Sequence, residues 1–297
     1  MSKTVKYILA ITALLGVNLW LFLSDPTDQT ATSEKYFQEE DMEAVSRFLF
    51  VLNGDTTQIE RSEQGWTLND EYKADEGFVN TLISILERVE AGRTIEEWDQ
   101  DIMGSVEVEF DFNSRYRFQF ASNPMKTKSY FIADGKAREV AVPGYKDNVV
   151  DIFTLHSDQW RDRVVVDGNW RTIQKIEVVN KRGEDFEITF VDNFFLVDEK
   201  QPTDSSSVVN YLNQFEGFQA NEMLSKGRFE NMDSLAGTEP YASVVIDDIK
   251  LEQPVRLNFY PNLNGQPYHL VVDQNNQQMV IDSRRVQQIL TNPNNTN

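Results

Sequence analysis

The chain has two histidines, His156 and His269, and no cysteine, which narrows the chemistry open to it. Thiol catalysis and cysteine-ligated metal are excluded, and the fold needs no disulfide even in an oxidising compartment. A Ser-His-Asp triad needs a histidine beside a serine on a sharp turn, and no G-x-S-x-G elbow occurs. Catalytic zinc usually takes two or three histidines with a carboxylate, which two isolated histidines do not supply. The acidic clusters Glu39-Glu40-Asp41, Glu96-Glu97-Trp98-Asp99 with Asp101, and Asp247-Asp248 lack the D-x-D-x-D-G spacing of a calcium loop. With 48 acidic residues, carboxylate pairs arise by chance, so solvated faces explain these clusters better than the two acids of a glycosidase. No phosphate-cradling glycine loop is present. The residues therefore point to no catalytic, cofactor or metal site, and to a protein that is not an enzyme.

One segment is chemically distinctive, Asp158-Gln159-Trp160-Arg161-Asp162-Arg163. Tryptophan is a large apolar anchor, and two arginines around an aspartate can form forked ion pairs at an interface. We expect Trp160 to be buried, with Arg161 or Arg163 against a carboxylate or backbone carbonyls at a domain junction. A partner-binding surface is the competing use of the same four residues, Trp160, Arg161, Asp162 and Arg163.

The elements that must position this segment are written twice. Val79-Asn80-Thr81-Leu82 is answered about 130 residues later by Val209-Asn210-Tyr211-Leu212. Ile59, Trp66 and Leu68 precede the first; Ile188, Phe195 and Val197 precede the second. Downstream, Ser105-Val106 answers Ser243-Val244, Phe118 and Phe120 answer Leu257 and Phe259, and Val149 to Thr154 answers Val286 to Thr291. Preserved order across a whole unit reads as divergent duplication. Each copy opens with short strands. A helix follows, Phe78 to Val89 in the first with Asp75 as N-cap and Gly92 near its end, and Val208 to Phe215 in the second. Antiparallel strands come next, as in Val106, Val108, Phe110 and Phe112 alternating with Glu107, Glu109 and Asp111. The fold class expected is α+β: two tandem units, 44–154 and 172–291, each an antiparallel sheet with packed helices. Residues 155–171 form the junction, 25–43 a polar stalk and 292–297 a disordered tail.

Tyr7 to Leu23 is an almost unbroken apolar run, preceded by Lys3 and Lys6 and followed by Asp25 and Asp28. Seventeen helical residues span about 26 Å, roughly a bilayer's hydrocarbon core. The expectation is a transmembrane anchor within residues 1–24, carried by Tyr7, Leu14, Leu15, Trp20 and Leu23. The charge asymmetry places the N-terminus in the cytoplasm and the bulk of a single-pass inner-membrane protein outside it. A cleaved signal peptide is the alternative. Beyond residue 24 the chain holds 26 basic and 48 acidic residues, a net of −22. Such a surface repels nucleic acid and anionic headgroups. Forty per cent hydrophobic and 11% aromatic residues make a folding composition rather than a disordered one.

Gly65-Trp66-Thr67-Leu68, Lys73-Ala74-Asp75 before a leucine-rich helix, Val142-Pro143-Gly144-Tyr145, and Trp160-Arg161-Asp162-Arg163 followed by Ile173-Gln174-Lys175-Ile176 occur in that order. In this the chain resembles the domain-of-unknown-function 4340 family, over most of residues 55–225. The resemblance implies a membrane-tethered, non-catalytic accessory subunit of an ABC-type transport or cell-envelope system of the gliding-motility kind. Its partners would be transporter or envelope subunits, with the bilayer contacted through the N-terminal helix, and it implies no active residue and no cofactor. The alternatives are an envelope glycan- or peptide-binding module, with a cleft lined by Trp66, Trp98, Trp160 or Trp170, and, last, a carboxylate-dependent hydrolase.

Overall fold

The structure is a computed structural model and describes residues 34–37, 42–96, 98–99, 101–111, 114–200, 204–262 and 265–295. In chain order the first half carries β1 (Glu34–Lys35), β2 (Val45–Leu52), β3 (Asp55–Ser62), β4 (Gly65–Leu68), β5 (Tyr72–Lys73) and helix α1 (Glu76–Arg88). It continues with β6 (Glu90–Ile95), β7 (Gly104–Phe110), β8 (Arg115–Ser122), β9 (Ser129–Ala133), β10 (Lys136–Ala141) and a 3-10 turn, Val149–Thr154. After a second 3-10 turn, Ser157–Trp160, come β11 (Val164–Val166), β12 (Ile173–Asn180), β13 (Phe186–Val191), β14 (Phe194–Val197), α2 (Ser205–Leu212) and β15 (Phe218–Gln219). The rest is β16 (Glu222–Leu224), α3 (Glu230–Ala236), β17 (Ala242–Asp248), β18 (Val255–Phe259), β19 (Tyr268–Asp273), β20 (Gln278–Asp282) and α4 (Ser283–Ile289).

The described residues form two compact units: those up to Arg61 with Asn80–Thr154, and Ser62–Val79 with those from Leu155 onward. The division departs from the contiguous 44–154 and 172–291 expected. Residues 62–79 and the junction 155–171 belong to the second unit, and α1 straddles the boundary. In the first unit the strands stand in the order β1-β6-β10-β9-β8-β7-β2-β3. In the second the order is β14-β13-β12-β17-β18-β19-β20-β16. Strand for strand, β6-β10-β9-β8-β7-β2-β3 matches β16-β20-β19-β18-β17-β12-β13, and α1 and α2 fall at the same place in the connectivity. The register matches as well. Phe50 faces Val106 and Val106 faces Phe118; Val178 faces Val244 and Val244 faces Leu257.

Period-two alternation produces both cores. Val106, Val108, Phe118, Phe120 and Phe131 are buried on one face of the first sheet, where Phe118 and Phe131 lie with ring centroids 4.3 Å apart. In the second, Val178, Val244, Ile246, Leu257 and Val271 meet Val208 and Leu212 of α2 and Val286 and Ile289 of α4. The helix starts follow their caps. Asp75 Oδ1 accepts the Phe78 amide at 3.1 Å, and Asp204 Oδ1 accepts the Ser206 amide at 2.9 Å.

The opposite face of the first sheet is an ion ladder. Glu107 is 6% exposed because Arg47, Arg115 and Arg117 close over it; Arg117 Nε donates at 2.9 Å. Arg47 also meets Glu109 at 2.6 Å. The Arg117 hydrogen bond, opposed by burial and aided by the field of the three arginines, holds the Glu107 carboxyl below the usual carboxylate range. A carboxylate whose folded pKa is depressed contributes stability above its unfolded pKa and loses it as pH falls through the folded value. Glu107→Gln should therefore be less stable than the parent at about pH 7, with the gap in urea midpoint narrowing below about pH 4. A gap of constant size from neutral to acid would mean that the ladder does not hold this charge.

Two expectations are corrected. The molecule is not a balanced α+β fold: large antiparallel sheets dominate, and the helices among the described residues run from seven to thirteen residues. The strands β6, paired between β1 and β10, and β16, at the edge of its sheet, went unread because Glu90–Ile95 and Glu222–Leu224 carry little apolar alternation; Gly92, read as a helix end, lies inside β6. Nor is a single-pass inner-membrane protein supported, because no helix of the described residues is long and apolar enough to cross a membrane. The anchor residues Tyr7, Leu14, Leu15, Trp20 and Leu23, and most of the stalk, lie outside the described residues. Of the tail, Pro293–Asn295 form a 3-10 turn with Pro293 buried.

Candidate functional site

The 3-10 turn Ser157–Trp160 begins with a reciprocal cap. His156 Nδ1 accepts the Asp158 amide at 3.2 Å, and Gln159 Oε1 accepts the His156 amide at 2.9 Å. The turn drives Trp160 inward, where it is 1% exposed. The Phe78 ring meets it edge-on at 6.2 Å, and its carbonyl accepts the Asp75 amide at 2.7 Å. Asp158 is equally buried. Its carboxylate accepts from the Ser225 amide at 2.9 Å, the Ser225 hydroxyl, and Arg228 Nη1 at 3.0 Å, with Arg161 Nη1 at 3.7 Å.

Arg161 is as enclosed as its partner. Its guanidinium lies 3.7 Å over the Tyr72 ring and donates to the Leu224 carbonyl at 3.4 Å and to Gln277 Oε1 at 3.2 Å. Burial chiefly, with a hydrogen bond to Glu71, pushes the Tyr72 phenol up, while Arg161 opposes this. Asp162 pairs with Lys73 at 3.2 Å, and Arg163 reaches the Asn221 carbonyl at 3.5 Å. The four residues thus come together inside the second unit. A buried carboxylate with three donors and a guanidinium 3.7 Å away, and an arginine with three kinds of acceptor, have little left for a ligand, so the cluster holds structure.

The other sequence candidates scatter. His269 Nδ1 donates to the Tyr260 carbonyl at 2.9 Å, with the Tyr241 hydroxyl at 3.3 Å. Asp248 is buried, accepting from the Thr172 hydroxyl at 2.6 Å and the Lys250 amide at 2.8 Å. No group of three or more His, Asp or Glu among the described residues could hold a metal ion. Trp66 and Trp160 are core residues rather than walls of a cleft.

Two kinds of open surface escaped the sequence reading. The β13–β14 hairpin turns through Asp192 and Asn193, both at positive φ (50° and 71°), as a two-residue hairpin turn of the right-twisting kind requires. It leaves Phe190, Val191 and Phe194 partly in solvent, Phe194 63% exposed, with the Phe190 ring packed on Phe195 at 5.0 Å. Three large apolar side chains within five residues are more than scattered surface hydrophobics. The second kind is a cleft beside each of the equivalent helices α1 and α2, of about 440 Å³ and 570 Å³. The repeated Asn80 and Asn210 line them, but nothing in a repeat marks its residues as lining a cavity.

Comparisons with known proteins by family model, by curated sequence and by solved structure give no significant match. The resemblance to the domain-of-unknown-function 4340 family therefore rests on the short motifs alone. The class that the fold defines is an antiparallel-sheet protein whose two units share one strand order.

Proposed function

We propose that the protein is a non-catalytic accessory or assembly subunit that docks on a component of an ABC-type transport system, as the resemblance implies. The observation that carries this reading is the exposed Phe190, Val191 and Phe194 on the β13–β14 hairpin. Large apolar side chains pay no hydration penalty once a partner covers them, and fully desolvated anchors of this kind carry most of the energy of an interface. The chain's excess of acid favours a partner surface that is apolar at its centre and basic at its rim. The Asp158–Arg161 cluster serves the docking unit by fixing its frame.

A double variant, Phe190→Ser with Phe194→Ser, tests the reading in cells at native expression. Transporter subunits should co-purify with the parent chain and be lost from the variant, with the melting temperature unchanged. Recovery of the same subunits by both chains, or of none by either, would remove the docking role. The glycan-binding alternative is favoured by a separate observation, the paired clefts.

A further inference from the structure

We infer that the two clefts beside α1 and α2 are equivalent saccharide-binding sites, one in each copy of the framework. This goes beyond the docking reading and does not depend on it. Each cleft lies between the helix that follows the opening strands and the segment that leaves the last strand, after β10 in the first copy and at α4 in the second. The helix walls correspond residue for residue, Asn80, Thr81 and Ser84 to Asn210, Tyr211 and Gln214, while the facing walls differ, 142–145 in the first copy and α4 in the second.

The lining chemistry is shared as well. In the first cleft Asn80, Ser84 and Arg88 recur along α1 at spacing four, one face of the helix. In the second Asn210 of α2 and Gln214 of the 3-10 turn that follows it stand at the same spacing, opposite Arg284 and Gln287 of α4. Each cleft has one arginine, and neither has a carboxylate in its lining, in a chain with 48 acidic residues. Amides and hydroxyls both donate and accept, which is what a sugar hydroxyl needs from its neighbours. In the second cleft Gln214 Oε1 is buried with no hydrogen-bond partner, an acceptor that asks for a donor.

The first cleft adds a stacking face. Val142-Pro143-Gly144-Tyr145 is a type II turn: the Tyr145 amide donates to the Val142 carbonyl at 3.0 Å, and Gly144 has φ +79°. Arg88 Nη2 ties the turn to α1 through the Pro143 carbonyl at 3.4 Å. The turn presents Tyr145 47% exposed beside the polar stripe, over a floor of Ile85 and Val142. An aromatic face held in place beside neutral hydrogen-bonding groups suits a pyranose ring, apolar on its face and hydroxylated at its rim. Both volumes fall in the range of small-molecule sites, about 300–1,000 Å³.

The test is an amide chemical-shift titration of the full chain with tetra-N-acetylchitotetraose, cellotetraose and maltotetraose, and with a lysine-rich peptide as control. At least one saccharide should shift residues 80–88 with 142–145, and residues 207–214 with 284–291. Tyr145→Ala should weaken the first site about three- to ten-fold and leave the second unchanged. Gln214→Leu should weaken only the second. Tyr145 is exposed and Gln214 lines its cleft, and the unchanged partner site serves as the control for folding in each variant. The inference is overturned if no saccharide shifts either cleft at about 10 mM, which puts any dissociation constant above that concentration. Shifts that map elsewhere, or that only the peptide produces, overturn it equally.

Discussion

Replacing Trp160 with alanine should destabilise the protein by about 3–5 kcal/mol, read as a fall in urea or guanidinium midpoint at unchanged slope. The side chain is 1% exposed and packs against Phe78, so truncation leaves a cavity and not a solvated gap. The turn that carries it is held at both ends. His156 and Gln159 cap its start, and the Trp160 carbonyl receives the Asp75 amide. A fixed backbone cannot collapse to fill the space, which places the loss toward the upper end of the range. Trp160→Phe should recover part of the loss by restoring apolar volume. A normal midpoint for the alanine variant, coupled with loss of partner co-purification, would make this segment a docking site instead.

Asp158→Ala should cost a comparable amount, about 3–5 kcal/mol, for a different reason. Removing the carboxylate leaves Arg161, itself 2% exposed, as a buried cation without its counter-charge, and leaves the Ser225 amide and hydroxyl unpaired. Asp158→Asn keeps one acceptor oxygen and should lie between the parent and the alanine variant. The double variant Asp158→Ala with Arg161→Leu should be more stable than Asp158→Ala alone, because it removes the uncompensated charge. Losses that simply add would show that the two side chains do not interact across their 3.7 Å separation.

The parts of this architecture legible in the sequence are those where one face of an element is wholly apolar. Val106, Val108, Phe118 and Phe120 alternate cleanly and are strands; the Asp75 cap sits where the first helix begins. The Val-Asn-x-Leu pair lies on α1 and α2, which hold corresponding places in the two strand orders. Edges were not legible. β16, three residues at the edge of its sheet, is short and polar, as edges that avoid further pairing tend to be, and β6 beside the two-residue edge strand β1 is equally polar. The insertion between β16 and β17 was missed too. Its helix α3 starts at Phe229 without a side-chain cap and builds a second small core with Leu224, Leu270 and Val272. Of the site, Trp160 and the arginines were legible because a tryptophan among charges is rarely left in water. The clefts were not, since Asn80, Ser84 and Tyr145 are ordinary surface residues until the chain is folded around them. The membrane helix was the opposite case, a strong composition signal that the described fold does not support.

The docking role is tested most directly by photo-crosslinking in living cells. A photoreactive amino acid would replace Phe194 at the tip of the β13–β14 hairpin in one strain. In a control strain it would replace Met125, which is 80% exposed on the first unit. Position 194 should yield a single high-molecular-weight adduct that contains a subunit of the transport system, and position 125 should yield none. Equal adducts from both positions, or no adduct from 194 with full-length chain at normal abundance, would contradict a partner docked on this hairpin.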